Sequence, residues 1–197
     1  MNNANRVLVT STATVLLAIA PHVAAQVPGG GEACKMEKIS PQPNPDFLTA
    51  FNAAEKRAKA WKPDVVIARL THTSIGPIDP EGRSTNWHMV WYSPGAKTND
   101  MITIANGSIT CWAMPGPSGR LGDIKPDFYR DVKKLLAEAN AHGGAALMAE
   151  GYAPRVELSA GSKGKVLWYV NYEHPTKRGS LQVTFDGNTG KFENAIK

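Results

Sequence analysis

A single offset of 81 residues superposes two long segments of this chain without a gap. Self-similarity at a fixed spacing narrows the available folds to those that use one unit twice. Pro45-Asp46-Phe47 falls on Pro126-Asp127-Phe128, Trp87 on Trp168, Pro94 on Pro175, and Ile102-Thr103-Ile104 on Val183-Thr184-Phe185. Only nine of the 72 pairs from Pro45 to Gly116 are identical, so the argument rests on clustering: a helix start, a Trp-led strand closed by Pro and the next strand all coincide.

Each unit reads as a helix followed by strands. In the first, Asn44-Pro45-Asp46 marks a helix start, Phe47, Leu48, Phe51, Ala54 and Ala58 recur at helical spacing, and Pro63 ends the run. Val65 to Ile75 and Thr85 to Tyr92 predict strands, and Asn106-Gly107 between Met101 to Ala105 and Ser108 to Met114 predicts a tight hairpin. In the second, Lys125-Pro126-Asp127-Phe128 opens a helix that Gly143-Gly144 should stop. Arg155 to Ser159, Val166 to Tyr172, Leu181 to Phe185 and Lys191 to Ala195 follow as strands, while Ala145 to Tyr152 reads as helix extension or strand. The expected fold is α+β: two tandem units, residues 44–119 and 120–197, each one helix packed on a three- or four-stranded antiparallel sheet.

Ahead of the repeat, Arg6 precedes an uncharged run from Val7 to Ala20, followed by Val23-Ala24-Ala25. Fourteen residues are too few to span a bilayer, and small residues suit signal peptidase, so residues 1–25 read as a signal peptide cleaved after Ala25. The expectation is a periplasmic or secreted protein with no stable membrane insertion after cleavage. Residues 26–43, rich in Gly and Pro, read as a flexible linker. The mature chain has 197 − 25 = 172 residues and, without Arg6, a charge of 21 − 17 = +4. Its basic pairs Lys56-Arg57, Lys133-Lys134 and Lys177-Arg178 lie far apart, so no stripe tracks a phosphate backbone and no nucleic-acid partner is expected. Cys34 and Cys111 are the two cysteines, and in an oxidising compartment they predict one disulfide. That bond would close a 111 − 34 = 77-residue loop, which contributes roughly 4.5 kcal/mol in the chain-entropy picture.

The run Trp168-Tyr169-Val170-Asn171-Tyr172, followed by Leu181-Gln182-Val183-Thr184-Phe185-Asp186-Gly187-Asn188-Thr189-Gly190-Lys191, resembles the PepSY domain family. That family pairs a W/Y-x-V strand with a V-x-φ-D-x-x-T-G-K hairpin after a helix. The resemblance covers about residues 126 to 197 and is thinner over the first unit, where Ala105-Asn106-Gly107-Ser108 replaces the Asp-x-x-Thr-Gly turn. It implies an exported non-catalytic module that binds or restrains peptidases or other cell-envelope partners.

No catalytic constellation stands out along the chain. His72, His88, His142 and His174 form no HExxH or comparable metal spacing, and GxSxG and SxxK are absent. His72 and His88, with Asp79 or Glu81, are the best metal candidates, yet three ligands are needed and solvent-facing strand histidines fit as well. No cofactor and no catalytic residue are assigned. An asymmetry between the units points instead to binding. Trp168, Val170 and Tyr172 form one face of a strand with Asn171 and Glu173 opposite, so that sheet reads as half-solvated apart from Tyr169, whereas beside Trp87, Met89 and Trp91 the opposite face carries His88, Val90 and Tyr92. Either the neighbouring unit or the lead-in covers that face, or it binds a protein or peptide partner, with His88, Val90, Tyr92 and Trp112 as the contact surface. The alternative function is a small periplasmic hydrolase or ligand-binding enzyme whose site forms only in three dimensions.

Overall fold

A computed structural model describes residues 35–72, 78–114, 124–160 and 164–197; the side chains of His72 and of residues 112–114 lie outside that description. Along the chain run β1 (Glu37–Lys38), α1 (Phe47–Trp61), β2 (Val66–His72), β3 (Asn86–Ser93), β4 (Thr98–Ala105) and β5 (Ser108–Met114). Then come α2 (Val132–Ala139), a π-helical turn (Asn140–Gly144), α3 (Ala145–Ala149), β6 (Ala153–Ala160), β7 (Val166–Glu173), β8 (Leu181–Asp186) and β9 (Phe192–Ile196).

Local chemistry explains the first helix. The Asp46 carboxylate accepts from the Thr49 N–H at 2.8 Å, capping an orphan donor. Phe47, Ala50, Phe51, Ala54 and Ala58 then bury one stripe, and α1 stops at Lys62, the residue before Pro63. Asn106 (φ 49°) and Gly107 (φ 73°) supply the paired left-handed residues that a two-residue hairpin turn requires.

The second helix departs from the expected boundaries. It begins at Val132 with Asp131 as its N-cap, four residues past Phe128. The Tyr129 N–H donates to the Gly187 carbonyl at 2.8 Å, and the Tyr129 carbonyl accepts from the Trp168 indole at 2.8 Å. Those tertiary bonds hold the segment outside the helix, so Phe128 enters the core from a loop. Gly143 does end the helical path: His142 (φ −84°, ψ 19°) and Gly143 (φ 111°) leave helical geometry, and the short α3 starts beyond that kink. The Tyr172 ring packs where a Gly144 side chain would stand, and its hydroxyl donates to Asn140 Oδ1 at 2.6 Å.

The expectation of two tandem helix-on-sheet units is overturned at a larger scale. All strands among the described residues belong to one nine-stranded antiparallel sheet in the order β1-β5-β4-β3-β2-β6-β7-β8-β9. The join is β2 against β6, with Arg69 opposite Ser159, Leu70 opposite Leu158 and Thr71 opposite Glu157. The physical reason is twofold. A separate four-stranded unit would leave β2 and β6 as open edges, and each half alone would bury only a marginal core.

One core spans the join. Phe47 on α1 meets Trp87 of β3 at 5.4 Å between ring centroids and Trp168 of β7 at 5.7 Å, and Phe128 meets Phe51 at 5.3 Å. The Arg130 guanidinium lies over Phe51 and Phe128, 4.5 and 5.0 Å from their centroids. The 81-residue offset persists in the inner hairpins: Trp87 faces Ile104 and Met89 faces Ile102, as Trp168 faces Phe185 and Val170 faces Val183. It fails at the join, since Met89 faces Leu70 but Val170 faces Val156, an offset of 156 − 70 = 86.

Residues of the expected linker are engaged where they are described. Ile39 and Ser40 donate to the Gly107 carbonyl, and Ser40 is buried. Of the expected Cys34–Cys111 bridge, Cys34 lies outside the described residues, while Cys111 is buried on β5.

Candidate functional site

Alternation along β3 divides the sheet into two faces. Trp87, Met89 and Trp91 are buried beneath α1, and the intervening His88, Val90 and Tyr92 are half-buried on the opposite side. The same parity holds across the sheet. Leu70, Ile102, Ile104, Val156, Leu158, Trp168, Val170, Val183 and Phe185 join the helices in one core, so the second face carries the remaining strand positions.

The register builds that second face row by row. One row runs Trp112, Met101, Val90, Arg69, Ser159, Leu167 and Asp186 across six pairings, from β5 to β8. The next runs Thr110, Thr103, His88, Thr71, Glu157, Tyr169, Thr184 and Asn194. Three of the expected contact residues, His88, Val90 and Tyr92, thus share β3, and Trp112 holds a place in the Val90 row two strands away, with Met101 between them. None of the described helices lies on this face, and the second half of the chain extends it edge to edge instead of covering it. Burial lowers the His88 pKa, which favours the neutral imidazole.

Sequence reasoning missed the centre of the face. Arg69 donates to Glu157 at 2.8 Å, and Arg155 stands 3.5 Å from Glu157 and 3.7 Å from Glu173. Those four charges come from β2, β6 and β7, and their proximity depends on the β2–β6 pairing. Leu167 and Tyr169 flank them on β7, both half-buried. Alternation marks each as a face residue, but nothing local says that the two halves share one sheet.

The metal candidates are not brought together. Thr71, not His72, stands opposite His88, and His72 stands opposite Trp87, so the two histidines are not cross-strand partners. Asp79 is held by Arg83 at 2.8 Å in its own turn. Among the described residues no three His, Cys, Asp or Glu side chains group as a metal site. A cleft between the starts of α1 and α2 is lined by Asp46, Leu48, Glu81, Arg130, Asp131 and Lys133 among others, with no histidine or cysteine in its wall.

No protein-family model and no curated protein matches this sequence. The fold is similar to that of a crystal structure from Clostridium difficile 630, described there as a "putative lipoprotein". The TM-score is 0.51 at 9% identity, covering 77% of this chain and 95% of that one. At such identity the likeness concerns the fold alone.

Proposed function

We propose that this protein is exported and non-catalytic, and that it binds a protein or peptide partner of the cell envelope through the open face of its sheet. The contact centre is His88, Val90 and Tyr92 on β3, with Trp112 in the row of Val90. One observation carries the reading: apolar and aromatic residues occupy consecutive positions on a sheet face that no described element covers, whereas solvated antiparallel sheets present polar residues there. Restraint of a peptidase is the form of binding that the PepSY resemblance of residues 168–191 favours.

Export is supported by the leader-like run around Val7 to Ala20 and Val23-Ala24-Ala25. The Cys34–Cys111 disulfide belongs to the same proposal. β1 pairs Glu37 with Ile109 on β5, and the same register continued two residues upstream sets Lys35, the neighbour of Cys34, opposite Cys111.

The test is affinity capture from a cell-envelope extract with the exported chain as bait, comparing wild type with Tyr92→Ala and Val90→Ala. Capture should fall several-fold in both variants while the melting temperature stays nearly constant. Capture that survives both substitutions in folded protein removes this face as the site.

A further inference from the structure

We propose that the loop between β7 and β8 is a proton-released strap: neutral His174 holds residues 174–180 closed over Tyr152, and protonation of that imidazole lets them go. The strap involves no residue of the contact surface proposed above.

His174 Nδ1 accepts from the Thr176 N–H at 3.1 Å and the Lys177 N–H at 2.9 Å, with the Thr176 hydroxyl at 3.3 Å. Backbone N–H groups can only donate, so Nδ1 presents a lone pair and the ring is the neutral Nε2–H tautomer. The chain builds the same turn elsewhere with a carboxylate. Asp186 Oδ1 accepts from the N–H groups of Asn188 and Thr189 at 3.1 and 2.9 Å, and from the Thr189 hydroxyl at 3.0 Å. A carboxylate keeps its lone pairs down to about pH 4, whereas an imidazole takes up its proton between about pH 8 and pH 5. A proton on Nδ1 turns the acceptor into a donor aimed at two other donors. Histidine therefore makes this turn sensitive to pH in a range where the Asp186 turn is not.

What the turn holds in place is a tertiary contact. The Arg178 carbonyl accepts from the Tyr152 hydroxyl at 3.3 Å, and Lys177 Nζ donates to the Glu150 carbonyl at 2.8 Å while standing 5.7 Å from the Tyr152 ring centroid. The His174 ring packs on Tyr152 as well, with centroids 5.1 Å apart. Tyr152 is buried and residues 175–180 are exposed, so the strap is the outer layer over that ring. Among the described residues, the charged groups around His174 are Lys177 and Arg178 in the strap, Glu150 ahead of Tyr152, and Glu173 on β7. Each carboxylate already has a cation: Glu150 lies 3.9 Å from Lys177, and Glu173 lies 3.7 Å from Arg155. An imidazolium would add a second positive charge beside Lys177, so the lost acceptor and the local repulsion act in the same direction.

Amide hydrogen exchange of the exported chain, followed by NMR, tests the strap. In wild type, protection of the Thr176 and Lys177 amides, relative to the free-peptide rate at each pH, should fall roughly tenfold between about pH 8 and pH 5. The fall should track the titration shift of the His174 ring protons. His174→Asn, whose Oδ1 takes the place of Nδ1, should keep the protection at both pH values, and His174→Ala should lack it at both. The Asn188 and Thr189 amides of the Asp186 turn should not respond. Protection that stays constant while the His174 ring titrates overturns the proposal, and so does a fall of the same size in His174→Asn.

Discussion

Trp91 and Tyr92 are neighbours on one strand, yet they belong to different environments. Trp91 is 2% exposed under α1 in an aromatic core, while Tyr92 stands half-buried on a face with none of the described helices over it. The contrast holds for the whole sheet. On the helix side, rings from α1, β3, β7 and the Phe128 loop interlock across the join between halves. On the open side, apolar residues flank a strip of paired charges. The helix side therefore carries the stability of the fold, and the open side is free to be optimised for something else.

The largest effect should come from breaking the helix side at the join. Trp168→Ala removes a ring that touches both Phe47 and Phe128, and should cost about 3–5 kcal/mol. Because the core is continuous, urea denaturation followed by circular dichroism and by tryptophan fluorescence should show one coincident transition for both halves. Two separate transitions would show that the halves fold as independent units.

A smaller effect marks the one carboxylate that, among the described residues, is buried on the helix side. Asp100 is 5% exposed, opposite Trp91, and desolvation raises its pKa to about 6 although Arg57 pulls the other way. With a folded pKa above the unfolded value of 3.8, the folded state binds the proton more tightly. Stability should then be highest below pH 4 for this group and fall as pH rises through about 6. Asp100→Asn, which stays neutral, should be more stable than wild type at pH 7–8 by on the order of 2–3 kcal/mol, with the gain vanishing near pH 4. A chemical-denaturation series across pH measures it, and an unchanged difference at all pH values would remove the ionisation argument.

The smallest effect sharpens the comparison from the other side. Val90→Ala and Tyr92→Ala should change stability by only about 0.5 kcal/mol, within the range of surface substitutions. Thermal melts of both variants decide this, and a loss comparable to that of Trp168→Ala would place the open face in the core after all.

Much of the local structure was legible along the chain. The α1 stripe, the Asn106-Gly107 hairpin and the two-residue alternation of β3 and β7 each depend on neighbours in sequence, where a cap, a left-handed turn or a pleat decides the conformation. The candidate surface was legible to the same extent: parity alone puts His88, Val90 and Tyr92 on one face. The late start of α2 was not, because Gly187 and Trp168, both more than 35 residues away, hold the Tyr129 backbone outside the helix.

What the order of residues settled was the identity of the elements and which side of each strand is apolar, since both follow from interactions within a few residues. What only the tertiary structure decided was that the halves share one sheet. Residues paired between β2 and β6 are 159 − 69 = 90 to 157 − 71 = 86 positions apart, and the two strands depart from the repeat by 86 − 81 = 5 residues in their pairing with β3 and β7. No local propensity encodes that choice. It follows from two open edges and two marginal cores that are satisfied together only when the strands meet. The Arg69–Glu157 pair at the centre of the candidate surface exists because they do.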